Sequence, residues 1–89
     1  MKKIEDLLKK AMQFHKDGDL NSAEKIYIDI ISSYPEHPDA IHNIASLYFE
    51  RKDYIKAYGF IKKVIDTEYP LQEYFITASR IFFQLKMFE

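Results

Sequence analysis

The chain copies itself at a fixed offset of 34 positions. Ala45 repeats Ala11, Tyr48 repeats Phe14, Asp53 repeats Asp19, Ala57 repeats Ala23 and Ile65 repeats Ile31. Moved forward by the same step, Ile41 meets Phe75, Ala45 meets Ser79, Tyr48 meets Phe82 and Tyr54 meets Phe88. A period of this kind marks a repeat architecture, in which one unit cannot bury its apolar face alone and stacks on its neighbours.

Inside the period the apolar residues recur with helical spacing. Ile4, Leu7, Leu8, Ala11, Met12 and Phe14 predict a first helix from about Lys3 to Lys16. Asp17-Gly18-Asp19 then breaks it, because Gly18 can close a helix in the left-handed conformation and Asp19 can cap the next one. Ala23, Ile26, Tyr27, Ile30, Ile31 and Tyr34 predict a second helix from about Leu20 to Ser33. Tyr34-Pro35-Glu36-His37-Pro38 is a stop and restart: Pro35 biases Tyr34 out of helical geometry and Pro38 suits a first helical turn. Three more helices are expected, from about Pro38 to Arg51, Tyr54 to Thr67 and Leu71 to Lys86. Gly59 inside the fourth costs roughly 1 kcal/mol against Ala, so a close helix contact is expected there. No alternating run bounded by hairpin residues competes with this all-α reading.

The totals narrow the function classes. The chain has 89 residues, enough for one modest core, and 47% of them are hydrophobic, as a folded chain requires. Lys and Arg number 13 against 14 Asp and Glu, and the balance holds within each repeat, so no general attraction to nucleic acid or anionic membrane is expected. No Cys is present, which removes disulfides and thiolate zinc sites. The opening residues are too charged for a signal peptide and no uncharged run approaches membrane-spanning length, so the expected location is cytoplasmic.

The spacing resembles the tetratricopeptide repeat, a 34-residue helix pair with a small residue at the eighth position, an aromatic at the eleventh, Ala at the twentieth and Pro at the thirty-second. Repeat one, residues 4–37, supplies Leu7, Ala11, Phe14, Gly18, Leu20, Ala23, Tyr27 and Pro35. Repeat two, residues 38–71, supplies Ile41, Ile44, Ala45, Tyr48, Tyr54, Ala57, Ile61 and Val64. A partial repeat three, residues 72–89, supplies Phe75, Ser79, Phe82 and Phe88. The resemblance implies a right-handed superhelical array of antiparallel helix pairs, about two and a half repeats and five helices in a single domain. Three positions depart from it. Lys10 stands where repeat two has Ile44, which suits a first helix with no neighbour before it. Lys52 takes the usual Gly slot, and Pro70 falls one place later than Pro35 does.

Members of this family bind extended peptides or partner helices in a concave groove lined by the first helix of each repeat. Carried over by phase, the groove positions are Leu8 and Met12 from repeat one, His42, Asn43, Ser46 and Phe49 from repeat two, and Ile76, Arg80 and Phe83 from repeat three. The carboxylate clamp of the chaperone-tail subclass falls on Leu8, Met12, Asn43, Glu73 and Thr77, of which Asn43 alone agrees. An apolar-anchored peptide or amphipathic helix is the better expectation.

The last helix carries more apolar residues than one neighbour can cover. Phe75, Ala78, Ser79 and Phe82 are expected to pack on the fourth helix, which leaves Ile81, Leu85 and Phe88 in need of another partner; the candidate self-association residues are these three and Phe82 at the edge of the packed face. The expected function is therefore a protein–protein interaction scaffold or adaptor. The alternatives are a homodimerisation module, or a regulatory helical segment of a larger enzyme or secretion assembly. No Gly-rich phosphate loop or Ser elbow occurs, and His37 and His42 lie five apart, off one helical face. No catalytic, cofactor-binding or metal-binding residue is expected.

Overall fold

The computed structural model describes residues 3–66 and 72–87, which form five helices and no strand. They are α1 (Lys3–Lys16), α2 (Leu20–Ser33), α3 (Pro38–Glu50), α4 (Tyr54–Ile65) and α5 (Gln72–Met87). Each helix packs on the next, α3 also meets α1 and α5, and the result is an array of helical hairpins. The break expected between Thr67 and Leu71, which holds Pro70, lies outside the described residues. Helix α3 stops one residue before Arg51, whose N–H caps it by donating to the Leu47 carbonyl. Helix α4 stops at Ile65 with Asp66 as its cap, short of Thr67.

The two turns inside the hairpins are the same turn built twice. In the first, the Gly18 N–H donates to the His15 carbonyl at 3.1 Å and the Asp19 N–H to Phe14 at 2.9 Å. In the second, Lys52 donates to Phe49 and Asp53 to Tyr48, both at 2.9 Å. This paired closure satisfies the last carbonyls of a helix and needs a left-handed residue at its centre. Gly18 takes φ 88° without penalty, whereas Lys52 takes φ 65° against its own Cβ. The residue that ends each turn also starts the next helix. Asp19 accepts from the Ser22 N–H at 3.2 Å, and Asp53 accepts from the Lys56 N–H at 3.3 Å.

Helix α3 is capped differently. His37 Nδ1 accepts from the Ala40 N–H at 3.2 Å, and Pro38 occupies the first helical turn. The Ala40 amide needs a lone pair, so the ring carries no proton on Nδ1 in this contact.

The core follows the repeat. Ala11, Ala23, Tyr27, Ile44, Ala45, Leu47, Ala57 and Ile61 are fully buried. Small residues stand at matched places in each hairpin, Ala11 and Ala23 in the first and Ala45 and Ala57 in the second, and they let the paired axes approach. Aromatic residues fill the space beside them: Tyr48 stacks on Phe60 with centroids 5.7 Å apart. Gly59 corrects the expectation made of it. It lies exposed, and a Cβ there meets nothing within 4 Å. No close approach depends on it.

The last helix also corrects its expectation. Its buried stripe is Tyr74, Ala78 and Ile81, with half-buried Leu85 packed beside them. Phe75 and Phe82 are each 47% exposed, and Ser79 is exposed. One step of 34 back, the buried stripe falls on Ala40, Ile44, Leu47 and Arg51 of α3, where Arg51 reaches back to α2. This is the face a helix turns toward the preceding hairpin. That face is the one α5 buries, against α4 and α3.

Candidate interaction groove

Helices α1, α3 and α5 are tied by side-chain contacts that all span 35 residues. The His15 ring on α1 meets the Glu50 carboxylate on α3 through Nε2. His42 Nε2 on α3 lies 2.8 Å from Thr77 Oγ1 on α5. The Tyr74 hydroxyl on α5 donates to Asp39 on α3 at 3.2 Å. A 34-residue unit stacked on the next brings a residue beside the one a period and a step further on, and the polar side chains there bridge the first helices of successive repeats.

Between α3 and α5 these helices frame an open groove of about 280 Å³ lined by Ser46, Phe49, Glu50, Thr77 and Arg80. Phe49 forms an aromatic wall, held edge-on against Tyr54 with centroids 5.4 Å apart. Ser46 and Thr77 offer hydroxyls, and exposed Arg80 offers a cation at the rim. Glu50 is engaged by His15, which moderates the carboxylate that would otherwise oppose Arg80. With that carboxylate accepting from Nε2, the far nitrogen of a neutral His15 ring can accept from the Tyr27 hydroxyl 3.3 Å away. Burial, with Glu50 adding to it, pushes the Tyr27 phenol up to about 12.

A second polar cluster fixes the junction between the hairpins. Tyr48 donates to Glu24 Oε2 at 2.5 Å, and Arg51 donates to Glu24 Oε1 at 2.7 Å and to Asn21 Oδ1 at 2.6 Å. The Tyr48 hydrogen bond and then Arg51 hold the Glu24 carboxyl below its usual value. Burial and Glu24 push the Tyr48 phenol up to about 12. Both hairpins are thus clamped at a defined angle, which sets the shape of the groove.

The groove residues expected from the sequence divide into three sets. Ser46, Phe49 and Arg80 come together in the lining, with Thr77 between them. His42 lies beside them, tied to Thr77 and tilted on the Tyr74 ring at 4.8 Å, and Asn43 is half-buried on the same helix. Leu8 is half-buried against the core, while Met12, Ile76 and Phe83 are 48%, 50% and 63% exposed, outside the lining between α3 and α5. The expected self-association set needs correction. Ile81 is fully buried and Leu85 packs on the chain's own core, so neither is presented outward. Phe82 remains half-exposed, leaning on Tyr58 at 5.2 Å, and Phe88 lies outside the described residues.

Sequence reasoning missed Glu50, His15 and Tyr27. The signal was present as polar residues 35 positions apart on the first helices, but it reads as solvated surface until the stacking is known. Among the described residues, no group of three His, Asp or Glu is placed to hold a metal ion, and no helix is long and apolar enough to cross a membrane.

Fold and groove together define a helical-hairpin repeat array with a lined groove on its first helices. No protein-family model matches the chain, and no solved structure does. A stretch of 68 residues is 28% identical to human Superkiller complex protein 3, covering 76% of this chain and 4% of that protein. The matched length equals two periods of 34 residues.

Proposed function

We propose that the chain is a protein-interaction scaffold that takes an extended peptide or an amphipathic helix along α1, α3 and α5. The observation that carries this reading is the groove between α3 and α5, where an aromatic wall, two hydroxyls and a cation converge on 280 Å³ of open space. An apolar ligand side chain fits against Phe49, an acidic group fits Arg80, and ligand backbone groups fit Ser46, Thr77 and Asn43. The likeness to a protein named for a complex is in keeping with protein partners. The role is one of binding rather than catalysis.

The test is a peptide-display selection on the folded chain, followed by calorimetry of the recovered peptides on variants. Arg80→Glu and Asn43→Ala, both with unchanged helicity, are expected to weaken binding at least tenfold, about 1.4 kcal/mol. Unchanged affinity in both, with loss on Ile55→Glu on the far side of α4, refutes the groove.

A further inference from the structure

A single proton can change the charge of the groove. Its lining pairs an anion, Glu50 on α3, with a cation, Arg80 on α5. Glu50 is also the carboxylate that His15 reaches from α1 through Nε2. The His15 side chain is 17% exposed and that of Glu50 is 53% exposed. Glu50 therefore faces two ways, onto an imidazole and into the open groove.

Imidazole is the side chain whose charge ordinarily changes between pH 5 and 8. The surroundings of His15 suit both of its states. In the neutral ring, Nε2–H donates to Glu50 and Nδ1 accepts from the Tyr27 hydroxyl 3.3 Å away. In the protonated ring, Nδ1–H donates and the same hydroxyl turns to accept. The Tyr27 phenol, pushed up to about 12 by burial with Glu50 adding to it, keeps its own proton across this range. The charge changes and the shape does not. The titratable groups that meet the ring are Tyr27 from α2 and Glu50 from α3. Near it on its own helix and the following turn stand Lys16, Asp17, which accepts from Gln13, and Asp19, which caps α2.

We infer that His15 sets the groove's affinity for acidic peptides: protonated, it neutralises Glu50 and leaves Arg80 to the ligand, and neutral, it leaves the Glu50 charge facing the ligand. The inference rests on the groove reading above and adds to it the charge of the ligand and its control by pH. With His15 neutral, Glu50 and Arg80 cancel. With His15 protonated, the three groups together carry one positive charge. Acting across a partly wet groove, that charge is expected to tighten an acidic peptide about fivefold at low ionic strength, and less as salt screens it.

The probe is a peptide recovered from the display selection that carries at least one carboxylate, an acetylated amine and no His. Its carboxylates stay largely ionised down to about pH 5.5. By calorimetry in low salt, the intact chain is expected to bind it about fivefold tighter at about pH 5.5 than at about pH 8. His15→Gln keeps a polar side chain without the titration and is expected to bind alike at both. Glu50→Gln is expected to reach, at the higher pH, about the affinity that the intact chain has at the lower one. His42→Gln, at the imidazole joined to Thr77, should keep the ratio of the intact chain. Equal affinity of the intact chain at both pH values overturns the inference. So does a ratio that survives His15→Gln or disappears with His42→Gln, or a recovered pool free of Asp and Glu. The groove reading fails on a different result, affinity that Arg80→Glu leaves unchanged at both pH values, and the inference falls with it.

Discussion

His42 and Thr77 sit 35 residues apart on neighbouring first helices and are joined at 2.8 Å. The same interval separates His15 from Glu50 and Asp39 from Tyr74. The groove wall is thus a stack of polar rungs, and each rung orients one helix on the next.

Removing one of the two α3–α5 rungs tests this directly. Thr77→Val keeps the side-chain shape and deletes the hydroxyl. It is expected to lower stability by about 1 kcal/mol. Amide exchange is expected to accelerate in α5 more than in α1 or α2. Uniform acceleration across all helices contradicts a local role.

The junction cluster predicts how stability follows pH. Glu24 is held below the usual 4.5 in the folded chain, so its contribution is present above that value and is lost as pH falls through the depressed one. Tyr27 and Tyr48 are held at about 12 against an ordinary 10, so stability is unaffected by them below 10 and declines as pH rises from about 10 through about 12. Denaturant titrations across pH check both limbs. Glu24→Gln should flatten the acid limb, and Tyr48→Phe should shrink the alkaline one. Phenolate absorbance should show Tyr27 and Tyr48 ionising near 12.

Backbone geometry separates three substitutions that look alike on paper. Gly18→Ala forces a Cβ onto φ 88° and is expected to cost about 1 kcal/mol. Lys52→Gly relieves φ 65° and is expected to stabilise by up to about 1 kcal/mol. Gly59→Ala gains helix propensity in open space and is expected to stabilise by about 1 kcal/mol. Thermal melts of the three variants give the signs, and a destabilising Gly59→Ala would restore the close contact that the structure lacks.

The first two helices were readable to the residue because Gly18-Asp19 and Tyr34-Pro35 are strong punctuation. The third start was readable from Pro38, but not its cap, since His37 does the work more often given to Ser, Thr, Asp or Asn. The Gly59 expectation failed because a propensity cost alone does not reveal a packing reason. On α5 the periodicity showed two apolar faces and could not say which one packs. The repeat phase favoured Phe75, Ala78, Ser79 and Phe82; of these the chain buries Ala78, together with Tyr74 and Ile81, and leaves Phe75, Ser79 and Phe82 exposed. In the groove, phase placed Ser46, Phe49 and Arg80 together, but Glu50 and its His15 partner depend on how two repeats stack.

The most direct test of the binding account is amide chemical-shift mapping of the folded chain with a display-selected peptide. The account predicts shifts clustered on Ser46, Phe49, Glu50, Thr77 and Arg80, extending to Met12 for a longer ligand. Shifts confined to the exposed side of α2 and α4 around Ile28 and Ile55, with those groove amides unmoved, would contradict it.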